Sequence, residues 1–307
     1  FNSGDLSQFY TGEDTYANQL AAMYAEGSDI AWNPSEEAGE YDIYTVLEYN
    51  EGIYMGYRWY ETAEAEGFFD GETPGKAPGG TGVTSTYYNR NTGVVYPFGF
   101  GMSYTKFRYS NYSVSIPSDK DGNVVINVDV TNTGDYAGKE VVEVYAHSPY
   151  INRGIEKAEV DLVDYTKTEL LQPGETQHIV IEFPLRDIAQ FDYNDANGNG
   201  AATYEIDAAN GYTISLRSDS HVVKDNCSYT FNIGSTYIYD VDENSGNEIT
   251  AVFSQGDIYD SMIGKNYEEI GVTRADGKFD LPTVASVEER SFDEKYLQEM
   301  DDNIYYE

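Results

Sequence analysis

One aromatic segment combines side chains that could bind a sugar. Glu51, Tyr57, Arg58 and Trp59 lie close together in the most aromatic part of the chain. The face of a Tyr or Trp ring can stack on the apolar face of a pyranose, while a carboxylate or guanidinium hydrogen-bonds its hydroxyls. We therefore predict that these four residues bind carbohydrate. The alternative is structural: Glu51 and Arg58 form a buried ion pair or cap backbone groups. Four glycines in and after this segment are predicted as tight backbone positions: Gly52, Gly56, Gly99 and Gly101.

A second segment has the oxygen spacing of a calcium loop. Asp195, Asn197 and Asn199 stand at the first, third and fifth positions, and a glycine follows at the sixth. The twelfth position, where a bidentate glutamate is expected, holds Ile206, and Glu205 comes one place early. The sequence thus predicts either a structural calcium ion held by these three residues with Glu205, or an Asn/Gly-rich hairpin loop.

No catalytic residue can be chosen from the pattern of acids. Paired carboxyl groups can serve as nucleophile and general acid, but 54 Asp+Glu residues offer no spacing that selects a pair. His147, His178 and His221 lack metal or triad spacing, so we predict them at the surface or at strand edges. Cys227 is the single cysteine, which excludes an internal disulfide and a cysteine-based zinc site. It is predicted to be a small buried side chain.

The charge of the chain excludes several kinds of partner. Among 307 residues, 54 are acidic and 18 are Lys or Arg, which gives a net charge of −36. Such a polyanion repels phosphate backbones and anionic lipid headgroups, so we expect no nucleic-acid partner and no membrane contact. No run of about 18 apolar residues is present. Thirty tyrosines argue for a folded chain, since disordered acidic segments are poor in aromatic residues.

The elements that would position these residues are mainly strands. From about residue 105, apolar and polar residues alternate, as in strands with one buried face. The alternating runs are Val124–Val130, Val142–Ala146, Ile179–Phe183, Tyr212–Leu216 and Tyr229–Ile233. Turn residues such as Asp121-Gly122 and Pro173-Gly174 separate them. This pattern predicts a β-sandwich of fibronectin-III-like or immunoglobulin-like topology.

The composition divides the chain into three parts. Residues 1–104 precede the strand region and include a predicted short helix at Tyr16–Ala25. Residues 105–235 form the β-sandwich. Residues 236–307 are predicted as an extended linker that ends in a helix, because capping-box patterns begin at Ser286 and Ser291. The predicted fold class is therefore mainly β.

Several of these motifs together resemble one enzyme family. Residues 49–58 and 95–104 (YNEGIYMGYR and VYPFGFGMSY) resemble the end of the α/β sandwich domain of glycoside hydrolase family 3. Residues 130–145 (VTNTGDYAGKEVVEVY) and 171–176 (LQPGET) resemble its fibronectin-III-like domain. The resemblance covers about residues 41–235. It implies that residues 1–104 are the C-terminal portion of an α/β sandwich domain that precedes the β-sandwich.

The resemblance also implies an activity and a place in a larger enzyme. Family members such as β-glucosidases are retaining glycosidases whose nucleophile is an Asp of a (β/α)8 barrel and whose usual acid/base Glu lies in the α/β sandwich. Neither motif occurs here, so both are expected outside this chain. Residues 271–279 (GVTRADGKF) resemble a linker of bacterial members with inverted domain order. We therefore expect a barrel beyond Glu307 and most of the α/β sandwich before Phe1.

The predicted function is thus one part of a retaining β-glycosidase that acts on terminal β-linked sugars. This chain would supply scaffold and a pocket rim, and its partners would be a carbohydrate substrate and the remaining segments of the glycosidase, or a partner chain. No cofactor is required by this chemistry. Two alternatives stay open, a non-catalytic carbohydrate-binding or adhesion module and a purely structural fragment. The sequence leaves the compartment, cytoplasmic or extracytoplasmic, undecided.

Overall fold

The computed structural model describes residues 51–69, 94, 96–193, 195–200, 203–249 and 271–280, and the structural statements below concern these residues. The chain divides into two units. One comprises Ile53–Ala251 and Arg274–Phe279 and holds nearly all of the described residues. The other comprises Phe1–Gly52, Val252–Thr273 and Asp280–Glu307 and lies mostly outside them.

The regular structure of the described residues is one α-helix, ten strands and two short 3-10 turns. The helix and strands are α1 Tyr57–Ala65, β1 Phe107–Ser115, β2 Asn123–Asn132, β3 Val141–His147, β4 Asp161–Lys167, β5 Thr176–Pro184, β6 Gln190–Phe191, β7 Tyr204–Ile206, β8 Ala209–Arg217, β9 Val223–Ile233 and β10 Tyr237–Tyr239. The 3-10 turns are Leu185–Ile188 and Ala275–Gly277. This content confirms the mainly β fold class.

Seven of the strands form two antiparallel sheets. The first sheet has the order β1-β2-β5 and the second has the order β4-β3-β8-β9. A third, small sheet has the order β10-β7-β6. The three-plus-four arrangement is the one that a fibronectin-III-like sandwich adopts, because two one-sided sheets bury their apolar faces against each other.

The core lies between the two larger sheets and follows the alternation in the sequence. The inward valines and isoleucine of β2, which are Val124, Ile126, Val128 and Val130, have 0% exposure. Apolar residues of β3, β5 and β8 join them in one cluster. The predicted inward faces of these strands are thus confirmed, and the small Cys227 is buried with them, as predicted.

Three side chains depart from the predicted alternation. Tyr145 of β3 and Ser215 of β8 stand between inward residues, yet their exposures are 0% and 2%. Tyr229 was expected to share the buried face of β9 with Phe231 and Ile233, but 41% of it is exposed. The pairing of β9 with β8 shifts register between Ser215 and Arg217 and again between Asn210 and Tyr212. Between these shifts Tyr229 pairs with the buried Ile214, so it keeps the inward face; it lies on β9, which stands at the edge of its sheet, and an edge position leaves part of the ring open to solvent.

Several predicted features lie outside the described residues. These are the helix at Tyr16–Ala25, the capping boxes at Ser286 and Ser291 with the helix after them, and nearly all of the loop at residues 70–93. The domain boundaries at 104 and 235 stay predictions. Within the part of the chain that is described, no helix is long and apolar enough to cross a bilayer.

Candidate functional site

Helix α1 carries three of the four predicted sugar-binding residues, and a glycine sets its start. Gly56 precedes the helix with φ 57° and ψ −128°, a conformation that side chains other than glycine rarely adopt. Gly52 also has a positive φ, 56°. Both glycines were predicted as tight backbone positions, and both predictions are confirmed. The helix then buries Trp59, Tyr60 and Ala63 on its inner side.

Trp59 is part of the interior. Its side chain has 0% exposure, and its ring makes edge contacts with Tyr60 and Phe68 and a tilted contact with Phe279. With neither ring face open to solvent, Trp59 holds α1 and Phe279 in place and offers no stacking surface for a sugar in this structure. This burial adds packing energy of the kind that aromatic clusters supply in cores.

Tyr57 and Arg58 attach α1 to strand β4. The Tyr57 hydroxyl accepts the amide hydrogen of Leu162, and its ring stacks on Phe98 with centroids 4.6 Å apart. Arg58 forms an ion pair with Asp161 of β4 at 2.5 Å, and 41% of its side chain is exposed. Burial raises the pKa of Asp161, which Arg58 opposes. The ion pair of Arg58 is thus made with Asp161, whereas the structural alternative names Glu51 together with Arg58.

The four predicted sugar-binding residues do not form one open surface. Trp59 is buried, Tyr57 and Arg58 are half-buried in contacts to β4 and to the segment before β1, and Glu51 is half-buried. Arg58 is the member that combines a charged group with substantial exposure. Their role in binding carbohydrate stays a prediction.

The candidate calcium loop joins β6 to β7 and is closed by its own hydrogen bonds. The amide groups of Asn197 and Asn199 donate to the Glu205 carboxylate at 2.6 and 2.7 Å, and the Thr203 hydroxyl donates to it at 3.2 Å. Asp195 accepts the amide hydrogen of Gly200 at 3.0 Å. Glu205 itself has 0% exposure. These donors supply the compensation that a buried carboxylate requires.

These hydrogen bonds are compatible with the hairpin alternative. Calcium binds oxygen ligands, yet here the nitrogen-bearing ends of two Asn side chains face Glu205. Among the described residues, no group of three or more His, Cys, Asp or Glu side chains is arranged to hold a metal ion. Calcium binding by Asp195, Asn197, Asn199 and Glu205 stays a prediction.

All three histidines contact a carboxylate, and two of them are half-buried. His221 Nδ1 lies 3.0 Å from Oε2 of Glu61 on α1, and the neighbouring Ser220 hydroxyl donates to Oε1 of the same carboxylate at 2.8 Å. His147 Nδ1 lies 3.1 Å from Oε1 of Glu159. Only 25% and 28% of these two imidazole side chains are exposed. The prediction of surface positions holds for His178, whose side chain is 57% exposed.

Arg274 attaches the returning segment, residues 274–279, to the end of α1 and to the residues just before β4. Its Nε donates to Glu66 at 2.6 Å, one terminal nitrogen donates to the Lys157 carbonyl at 3.0 Å, and the other donates to Glu159 at 3.3 Å. The guanidinium also lies over the Tyr150 ring, 4.9 Å from its centroid. Sequence reasoning missed these contacts because their partners are more than a hundred residues away in the chain.

Comparisons with known proteins identify sequences that are similar to this chain. Residues 140–208 match the fibronectin type III-like domain family. The β-glucosidase of Ruminococcus albus is 33% identical over 190 residues, which cover 62% of this chain and 16% of that protein. β-Glucosidase A of Butyrivibrio fibrisolvens is 35% identical over 171 residues, which cover 52% of this chain and 17% of that protein. The chain thus spans about a sixth of the length of these relatives.

One solved structure also matches part of this chain. The structure of β-glucosidase 3B from Thermotoga neapolitana in complex with α-D-glucose covers 62% of this chain with 31% identity and a TM-score of 0.45, and 21% of that protein is matched.

The sequence matches confirm the resemblance to glycoside hydrolase family 3 and the fibronectin-III-like sandwich. Both of these β-glucosidases come from bacteria, in agreement with the resemblance of residues 271–279 to a linker of bacterial family members.

Proposed function

We propose that this chain is one part of a retaining β-glycosidase that releases terminal β-linked sugars from oligosaccharides or glycosides. The observation that carries this proposal is sequence identity of 33% to a β-glucosidase across 62% of the chain. Retaining hydrolysis needs two carboxyl groups about 5–5.5 Å apart, one as nucleophile and one as acid/base. We place both on segments outside this chain, so that the described residues supply scaffold.

An exposed apolar strip supports a role as scaffold. Tyr96, Phe98, Met102 and Tyr104 have exposures of 65%, 48%, 89% and 96%. The backbone beneath them is fixed, since the Ser220 amide donates to the Phe98 carbonyl at 2.7 Å. Large apolar side chains held out by a rigid backbone are typical of surfaces that another part of the protein covers. The occupant that fits the proposal is a remaining segment of the glycosidase.

Arg58, with Tyr57 beside it, is the best candidate for a rim residue. Its side chain is 41% exposed, and its ion pair with Asp161 fixes the position of the guanidinium. A guanidinium held in this way can hydrogen-bond sugar hydroxyls at little further entropic cost. In the completed polypeptide, Arg58→Ala would raise KM with little effect on kcat if Arg58 contacts the sugar. An unchanged KM would remove Arg58 from the proposal.

The proposal is tested with an aryl β-glucoside. The 307-residue chain alone should show no hydrolysis, and the polypeptide extended by the remaining segments of the enzyme should hydrolyse the substrate. Activity in the isolated chain would contradict the placement of the catalytic groups. An extended polypeptide that binds sugar without cleaving it would favour the non-catalytic alternative.

A structural calcium ion in the loop at residues 195–205 is a separate proposal that rests on the oxygen spacing in the sequence. It is tested by thermal melting with and without a chelator. A fall in Tm on chelation would support calcium, and an unchanged Tm would leave the loop closed by the hydrogen bonds to Glu205.

A further inference from the structure

Two histidine–carboxylate pairs hold one structural junction. His221 lies in the turn between β8 and β9 and faces Glu61 of α1. His147 ends β3 and faces Glu159, whose backbone amide donates to Thr62 of α1 at 2.9 Å. Both histidines therefore belong to the sandwich, and both act on the attachment of α1.

The second pair also reaches the returning segment, residues 274–279. His147 Nδ1 lies 2.9 Å from the Glu159 backbone carbonyl and 3.1 Å from one oxygen of its carboxylate, and the other carboxylate oxygen accepts from Arg274. Arg274 in turn donates to Glu66, just after the end of α1. The chain of contacts thus runs from β3 through Glu159 and Arg274 to the helix. Phe279 closes the same junction from the apolar side by packing on Tyr54 and Trp59.

We propose that protonation of His147 and His221 tightens the attachment of α1 and residues 274–279 to the β-sandwich, which makes this junction a pH-sensitive latch. Each imidazole gains a full charge against a carboxylate at hydrogen-bond distance when it binds a proton. About a quarter of each imidazole side chain is exposed, so protons reach both rings without unfolding.

The charges around each histidine favour the protonated form. His221 is faced by Glu61 and Glu64 of α1 and by Asp219, with the Arg217 guanidinium as the opposing cation nearby. The hydrogen bond to Glu61 raises its pKa above the usual 6.5, although burial lowers it. His147 is faced by Glu159 and, with opposite effect, by Arg274. Its hydrogen bond to Glu159 raises its pKa against the opposing effect of burial.

The direction of the pH effect follows from linkage. A histidine whose pKa is higher in the closed latch than in the open one stabilises the closed form below its usual pKa. That stabilisation is lost as pH rises through the raised pKa. The latch is therefore closed in mildly acidic solution and loosens as pH rises above about 6.5. Each unit of pKa difference changes the opening equilibrium by about tenfold.

Hydrogen exchange of the 307-residue chain, followed by mass spectrometry, tests the latch. Protection of residues 57–65 is measured at about pH 5.5 and about pH 8.5, corrected for intrinsic exchange and referred to strand β2. We expect the protection factor of α1 to fall by on the order of tenfold or more across this range. The double variant His147→Gln/His221→Gln should flatten the dependence.

His178→Gln is the matched control. His178 also pairs with a carboxylate, Asp129 at 2.7 Å, but both lie on the β2–β5 sheet away from α1. This variant should keep the full pH dependence of α1. If the double variant does not fold, Glu61→Gln removes one charge and leaves an acceptor for Ser220, and it should reduce the dependence.

Three results would overturn the latch. One is a protection factor of α1 that does not change with pH in the unaltered chain. Another is a dependence that survives in the double variant or, if the double variant does not fold, one that Glu61→Gln does not reduce. The third is an equal change in β2, since that would show a shift of global stability with no local opening at α1.

Discussion

Asn132 is a buried polar side chain whose hydrogen bonds connect three stretches of the sandwich. It ends β2 with 0% exposure, and its amide donates to the carbonyls of Tyr136 and Leu171, both at 2.8 Å. Its side-chain oxygen accepts from the Thr105 hydroxyl at 2.6 Å and from the Gly134 amide at 3.1 Å. One residue thus satisfies four groups from three stretches of the chain, and the turn after β2 depends on it.

We predict that Asn132→Ala strongly destabilises the sandwich. The substitution leaves buried donors and acceptors without partners, and each such group costs about 1–3 kcal/mol. A loss of about 2–4 kcal/mol in the free energy of unfolding is expected, measured by urea denaturation.

Asn123→Ala is the control for this prediction. Asn123 begins the same strand, but it is exposed, and its side-chain amide donates to the exposed Glu182 at 2.8 Å. Its loss should change the free energy of unfolding by less than about 0.5 kcal/mol. Equal effects of the two substitutions would show that burial of Asn132 is not what makes it important.

At the scale of a structural element, the segment of interest is the one that carries the exposed apolar strip. Residues 96–104 follow an irregular path, and Gly99 lies against Glu143 of β3 with φ 87°. A Cβ at this position would lie 2.3 Å from a Glu143 carboxylate oxygen. The sequence predicted tight backbone at Gly99 and Gly101. The structure confirms the first, whereas a Cβ on Gly101 would meet nothing within 4 Å, so that prediction is wrong.

Gly99→Ala should therefore disturb this segment. The residue would be strained at positive φ and would push Glu143 aside, at a cost of about 1–3 kcal/mol in the free energy of unfolding. Thermal melting of the variant measures the effect.

Gly101→Ala is the matched control, with an expected change within about 0.5 kcal/mol. If both alanine variants have the same Tm as the unaltered chain, the close approach of Gly99 to β3 does not constrain residues 96–104.

At the scale of the whole molecule, charge is the dominant feature. The net charge of −36 is carried by a chain of 307 residues, and self-repulsion of this size opposes folding. Ion pairs relieve this repulsion locally. Lys157, which is 1% exposed, pairs with the buried Asp207 at 2.5 Å. Arg274 pairs with both Glu66 and Glu159.

Salt should consequently stabilise this protein. At about 0.1 M ionic strength the Debye length is about 10 Å, so added salt weakens repulsion between exposed carboxylates. We expect Tm to rise as NaCl increases from about 0.02 M to about 0.5 M, with KCl giving the same rise if screening is the cause. A Tm that stays flat or falls would show that attractive ion pairs outweigh the repulsion.

The residue pattern alone determined the sandwich and the relation to β-glucosidases. Alternation in β2, β3, β5 and β8 predicts which side chains are buried, because strand geometry sends successive side chains to opposite faces. Glycines 52, 56 and 99 were predictable for a similar local reason, since backbone conformation depends mainly on a residue and its neighbours. The family motifs are likewise continuous stretches of sequence.

Only the tertiary structure decided the polar contacts. Arg58 meets Asp161, His221 meets Glu61, and Arg274 meets Glu66, each across roughly a hundred residues or more of chain. With 54 acids in the sequence, every cation has many equivalent partners on paper. The fold selects one by bringing it within a few ångströms and by excluding water, and the same folding places Trp59 in the interior.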